Sequence, residues 1–298
     1  MAIPRSQLDT WANQGALTTS AAAYASIDRA LRAANASSQV RGSDIFLQGS
    51  YANATNIYGE SDVDVVVLYG DSWHRDLSAL TPEEQRLYHQ TYDTATYVWD
   101  DLRNDVLAAL RAHFGYAAVV PGTKAMKVTT GHGRMTADVV PALGFRKYAT
   151  FLGDANATAH CGIQFFDSAG NAIVNYPKYH RVRGEAKNDI SRTRGQYKET
   201  VRIFKNFRTY LYDNGLLADG SAPSYFVECT LHNVPDNLFV GDLDETVPDI
   251  LNYLANTSPL GFLCQNGVVP LIGSGNTQWS APSLNAFIVA AISAWNNW

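Results

Sequence analysis

Asp62 and Asp64 are separated by a single residue in the run Ser61-Asp-Val-Asp-Val-Val-Val67. The valines predict a strand over residues 61–69. Side chains alternate along a strand, so the two carboxylates share one face while Val63, Val65 and Val67 share the other. Carboxylates this close repel, and one pKa rises unless a cation lies between them. Hard oxygen donors on a rigid strand suit Mg²⁺, which keeps waters and takes substrate phosphates as further ligands. Upstream, Leu47-Gln-Gly-Ser50 ends another short apolar run. Gly49 lets backbone N–H groups approach a phosphate closely, and the Ser50 hydroxyl adds a donor. A two-metal site needs a third carboxylate. Asp138, central in the β-prone Met135-Thr-Ala-Asp-Val-Val-Pro141, is the candidate. The chemistry these residues could do is metal-assisted reaction at a phosphate.

The elements that would position them follow from pattern. Residues 18–34 read as a helix, with Thr19 or Ser20 as cap and a stripe of Ala22, Ile27, Ala30 and Leu31. Residues 44–48 form a short strand. Thr81-Pro-Glu-Glu opens a helical region, and helical propensity resumes over 97–114 before Gly115. Three β-prone stretches follow at 116–120, 124–130 and 135–143, the last two joined by a hairpin turn at Gly131-His-Gly133. Strands at 162–166 and 172–175 lead to a long helix over 194–214, ended by Gly215. Further helices are expected at 224–232, 245–255 and 283–295. The fold class is therefore α/β (α+β): a mixed-sheet catalytic core over 1–150 and a mainly helical lobe over 151–298. Trp279, Trp295 and Trp298 are expected to close the helical lobe on itself.

Composition narrows the function. The chain has 298 residues, 46% hydrophobic and 17% charged, as a folded protein should. Its longest apolar run, near residues 286–295, is about half of what a membrane span needs. No secretory signal opens the sequence, so a cytoplasmic location is expected. Cys161, Cys229 and Cys264 lack metal-ligand spacing, which argues against zinc, and His160-Cys161 reads as packing. A net charge of −5 argues against a broad duplex-binding face. Yet ten of the 23 basic residues fall between 178 and 208 against three acids. That localised charge points to a small anionic ligand or a limited nucleic-acid contact.

Gly49-Ser50, Asp62-x-Asp64 and Asp138 together resemble the polymerase-β-like nucleotidyltransferases. Over nearly the whole chain the resemblance is to clade E of the bacterial cyclic-oligonucleotide synthases related to cyclic GMP–AMP synthase (CD-NTases). It is carried by residues 48–67, Val174-Asn-Tyr-Pro-Lys178, Phe204-Lys-Asn206, Ala222-Pro-Ser-Tyr-Phe226 and Cys264-Gln-Asn-Gly267. The resemblance implies two lobes around two nucleoside triphosphates, with two Mg²⁺ (or Mn²⁺) on Asp62, Asp64 and Asp138. A sugar hydroxyl attacks an α-phosphate, pyrophosphate leaves, and a second round closes a ring. Asp138 would be the proton acceptor. Gln48, Gly49 and Ser50 would contact substrate, as would Ser224 and a lysine of the long helix, with Lys205 favoured over Lys198. Tyr225 would stack on a base. Asn175, before Tyr176-Pro177, would read a pyrimidine edge, implying UTP with ATP or a second UTP. The product would activate a separate effector in antiphage signalling. No Cys/His zinc insertion is present, so duplex-DNA sensing is not implied, and Trp298 at the end does not suit C-terminal conjugation. Linear oligonucleotide synthesis, nucleotidylation of another acceptor, and a non-catalytic nucleotide-binding protein are the alternatives.

Overall fold

The computed structural model describes residues 3–15, 18–59, 62–130, 136–275 and 277–298. The expected Gly131-His-Gly133 turn, Ser61, Met135 and the Thr19 cap lie outside the described residues and side chains. The elements of the first half are α1 Arg5–Ala12, α2 Thr18–Leu31, α3 Ser38–Gly42, β1 Asp44–Leu47, α4 Gly49–Asn53, β2 Val63–Asp76, α5 Pro82–Thr91, α6 Trp99–Phe114, β3 Val119–Pro121, β4 Met126–Thr129 and β5 Thr136–Phe151. Then come β6 Ala157–Phe166, β7 Ala172–Asn175, α7 Pro177–Lys187, α8 Ile190–Thr193, α9 Tyr197–Asp213, α10 Ser224–His232, α11 Leu243–Ala255 and α12 Ala281–Asn296.

The chain packs as two compact units that alternate along the sequence. One comprises Leu17–Gln48 and Ser61–Pro177; the other comprises Met1–Ala16, Gly49–Glu60 and Lys178–Trp298. A single boundary at residue 150 would cut β5, whose ladder with β6 runs from Leu143↔Gln164 to Phe151↔Ala157. The sheet unit therefore extends to Pro177, because β6 and β7 complete the sheet that β5 begins.

In the sheet unit the strand order is β1-β2-β5-β4-β3, with β6 on the far part of β5 and β7 beside β6. β2 and β5 run parallel; the other pairs are antiparallel. Val63, Val65 and Val67 are completely buried. On the other face Val66, Val140, Ala142, Ile163, Phe165 and Ile173 form one apolar cluster. The capping box at Thr81 and Glu84 opens α5 as its sequence predicts. Residues 116–118 form a 3₁₀ turn before β3, so only the end of that β-prone stretch is strand.

The helical unit is built on α9, whose buried face includes Tyr197, Val201, Phe204 and Phe207. These pack with α10, α11 and α12 into one core that includes Trp279 and Trp295. Helix α1 joins it through Trp11, which stacks on Phe207 and meets Trp298 edge-on. Helices α1 and α7 carry no long apolar stripe, which is why pattern reading passed over them. No helix among the described residues is long and apolar enough to cross a membrane.

Candidate active site

Within the sheet unit, the parallel pairing of β2 and β5 places Asp64 directly beside Asp138. Neighbouring strands lie about 4.8 Å apart, so these carboxylates project from adjacent positions of one face. Asp62, just before β2, receives a hydrogen bond from Thr136, and Lys127 Nζ lies 3.2 Å from its Oδ2. Lys127 stands opposite Asp138 in the β4–β5 register. Burial, then the Asp62 charge, pushes the Asp138 carboxyl above its ordinary pKa, with Lys127 opposing. The Gln48 amide donates to the Asp64 carbonyl at 3.0 Å, prolonging the β1–β2 ladder to the edge of this cluster.

Asn175 belongs to the same sheet. Gly144 of β5 pairs with Ile163, which pairs with Asn175. Two-residue alternation puts Asn175 on the face of Ile173, which clusters with Val66 and Val140. That is the face of Asp64 and Asp138. Gly162 is what lets this edge close: a Cβ there would stand 2.5 Å from the Asn175 carbonyl oxygen and 2.8 Å from the Tyr176 ring.

The helical unit carries the other expected residues. Gly49 has φ +67° and is the first residue of α4, so the predicted glycine turn is the entry to a short helix holding Ser50. Ser224 opens α10 and accepts a hydrogen bond from Arg208. Tyr225 follows it, 40% exposed as a residue, its ring lying on the His180 imidazole with centroids 5.3 Å apart.

The two lysines separate. Lys205 is 1% exposed, and its ammonium donates to the Thr55 carbonyl at 2.8 Å. Lys198 is half-buried at the start of α9, its pKa lowered by burial. The preference for Lys205 as the phosphate contact thus meets a side chain enclosed in the core, and Lys198 is the more exposed of the pair. The physical reason is depth: two helical turns share a bearing but not a position along the axis, about 10 Å apart.

Much of the basic stretch is spent on internal partners. Lys187 binds the Val234 carbonyl and Asp236, Arg192 binds Asp236, Arg181 binds Glu185, and Arg202 binds the Ala12 and Ala54 carbonyls. A continuous anion-binding face does not form from these residues. Sequence reasoning also passed over Lys127, Thr136 and Arg208 as contacts of site residues. Only the alternation around Lys127 in a β-prone stretch offered any signal.

Residues 182–296 match the family model of the cGAS/DncV-like nucleotidyltransferase C-terminal helical domain. The chain is 38% identical to the cyclic nucleotide synthase CdnE01 of Staphylococcus haemolyticus, covering 100% of both. It belongs to the cGAS/DncV-like nucleotidyltransferases. It is equally 38% identical to the cyclic UMP-AMP synthase of Rhodothermus marinus over 100% of this chain and 99% of that one. The solved structure of Rhodothermus marinus CdnE c-UMP-AMP synthase with Apcpp and Upnpp superposes with a TM-score of 0.89, covering 99% of this chain and 97% of that chain. The Elizabethkingia meningoseptica CdnE cyclic dinucleotide synthase, solved with GTP and Apcpp, gives 0.77 at 27% identity, covering 99% and 98%. The nucleotidyltransferase fold expected from the Gly-Ser and Asp-x-Asp signature is thus the fold observed.

Proposed function

We propose that this nucleotidyltransferase joins two ribonucleoside triphosphates into a cyclic dinucleotide, with UTP as one substrate and ATP or a second UTP as the other. The observation that carries the reading is the side-by-side placement of Asp64 and Asp138 on parallel strands, with Asp62 beside them. Full-length similarity to a cyclic UMP-AMP synthase supports the product class.

The donor set fits Mg²⁺. Three carboxylates are hard oxygen ligands, and the raised Asp138 pKa marks a place where a cation relieves repulsion. Among the described residues no three carboxylate, His or Cys side chains are already gathered around a common point. Mg²⁺ would take its remaining ligands from water and substrate phosphates. Asp62, Asp64 and Asp138 would hold two Mg²⁺, which when bound neutralise charge on the reacting phosphate and acidify the attacking hydroxyl. Mn²⁺ offers the same oxygen chemistry.

The chain's own residues do the rest. Asp138 lies nearest the attacking sugar hydroxyl and accepts its proton. Ser50, Ser224 and Lys198 bind the triphosphate, with Gln48 and Gly49 shaping its approach and Lys205 fixing the segment that follows α4. Tyr225 offers a flat face to a base. Asn175 accepts from uracil N3–H and donates to a uracil carbonyl, the pair of bonds its amide can offer a pyrimidine edge. The product serves as a cytoplasmic signal for a separate effector.

Incubating the protein with Mg²⁺ and α-labelled ribonucleotides, then phosphatase, tests the reading. A uracil-labelled product that resists phosphatase and has the mass of a closed ring, absent from Asp62→Asn/Asp64→Asn, supports it. Phosphatase-sensitive products alone mean linear synthesis or transfer to another acceptor, and refute ring closure. Asn175→Ser should move base usage from uracil towards purines; unchanged usage removes the role of Asn175.

A further inference from the structure

Glu228 lies one turn beyond Tyr225 on α10 and is 4% exposed. Its Oε2 accepts from Thr55 Oγ1 at 2.9 Å. Its Oε1 is 2.9 Å from His180 Nε2 and 3.4 Å from Gln265 Nε2. Thr55 follows α4, and its carbonyl takes the buried Lys205 ammonium. On the other side, the His180 carbonyl accepts from Gln265 at 2.8 Å, and Asn266 donates to the Tyr225 hydroxyl at 3.3 Å. The imidazole itself is the surface against which the Tyr225 ring rests, with an interplanar angle of 25°. His180 Nδ1 is buried without a hydrogen-bond partner among the described residues, so the Glu228 contact and the ring contact are what orient it.

A buried carboxylate with cationic partners adds little net stability over an apolar cluster of the same shape, because desolvation offsets attraction. It does fix geometry, since each group has one satisfied arrangement. Burial alone would raise the Glu228 pKa, but His180, Lys205 and the Thr55 hydroxyl outweigh it and keep the carboxylate ionised.

We propose that His180 and Glu228 are positioning residues for Tyr225. They set the ring on which a nucleotide base stacks and tie it, through Thr55 and Lys205, to the segment that carries Ser50. This rests on the reading of Tyr225 as the base platform. The side chains that read the base and the triphosphate of one nucleotide are then held by a single rigid network, in which His180 and Glu228 touch neither.

The test compares KM and kcat for each nucleotide, with thermal unfolding as a control, in four variants. Tyr225→Ala should raise the KM of one nucleotide by about 5-fold or more, the lower bound for a base–aromatic stack. His180→Gln, which keeps a donor for Glu228 but removes the ring, should raise the KM of that same nucleotide at least ~3-fold, below the loss of the stack itself. Its kcat at saturation should stay within about 2-fold, since a mainly binding effect leaves turnover in place. Glu228→Ala should do the same, and Glu228→Gln should restore most of the affinity. If Tyr225→Ala leaves both KM values unchanged, the base-platform reading fails and the proposal falls with it. If Tyr225→Ala weakens binding while folded His180→Gln does not, the positioning role alone is refuted. Variants that shift only the melting temperature, or both nucleotides equally, would also overturn it.

Discussion

Lys127 occupies Asp62, a ligand of the proposed metal site, and its removal gives a prediction with a definite sign. The ammonium lies 3.2 Å from Asp62 Oδ2, with side chains 53% and 36% exposed. Coulomb's law in bulk water gives about 1.3 kcal/mol at that separation. Solvent screening and side-chain entropy reduce such exposed pairs to roughly 0.2–1 kcal/mol. An ion that takes Asp62 must displace this contact, so deleting it should tighten metal binding by about 1.4- to 5-fold. The assay is pyrophosphate release against Mg²⁺ concentration at fixed, saturating nucleotide, for the wild type, Lys127→Met and Lys127→Arg. Half-saturation should fall in Lys127→Met and stay near wild type in Lys127→Arg, which keeps the charge. A half-saturating concentration that rises in Lys127→Met would refute the reasoning, because Lys127 would then be helping to hold substrate or ion.

Other outcomes follow from the same geometry. The raised Asp138 pKa means that its protonated form stabilises the fold below the ordinary carboxylate range, a contribution lost as pH rises past the raised value. Metal-free Asp138→Asn should therefore melt higher than wild type at pH 7.5, with the gap closing near pH 4, while turnover disappears; scanning calorimetry in EDTA reads the first and product formation the second. Gly162→Ala forces a Cβ to within 2.5 Å of the Asn175 carbonyl, which should cost about 1–3 kcal/mol by overpacking. Denaturant unfolding would measure that cost, and UTP use should fall more than ATP use. Lys205→Met leaves Glu228 with one fewer buried cation and should destabilise by about 3–5 kcal/mol, whereas Lys198→Met should stay within about 0.5 kcal/mol and raise nucleotide KM instead.

How legible the site was depended on the range of the interactions. The shared face of Asp62 and Asp64 needed only the two-residue period of a strand, and the structure keeps Val63, Val65 and Val67 wholly buried behind them. Asp138 could be found as an acid in a β-prone stretch, but its place beside Asp64 is a non-local register. Lys127 and Thr136 were hidden for the same reason, since no local rule says which residues of β4 and β5 face Asp62. The lysines of α9 defeated a helical-wheel reading because burial varies along the axis as well as around it. Charge counting over 178–208 pointed to an anionic ligand but could not say which residues meet it, because carbonyl oxygens, invisible in a sequence, take up Arg202, Lys187 and Lys205. The alternating units were out of reach, as they depend on α1 meeting α9 and α11 across most of the chain.

That last arrangement has a consequence for biosynthesis. Trp11, made long before α9, packs on Phe207 and on Trp298, and Tyr210 lies 4.5 Å from Trp298 between ring centroids. Contacts this distant in sequence form late. A nascent chain can complete its sheet once residue 177 has left the ribosome, yet α1 and the Ser50 segment must wait for α9 and α10. Termination after β7 but before α9 would release a protein with Asp64 and Asp138 already paired and the Ser50 segment without its Lys205 and Glu228 anchors.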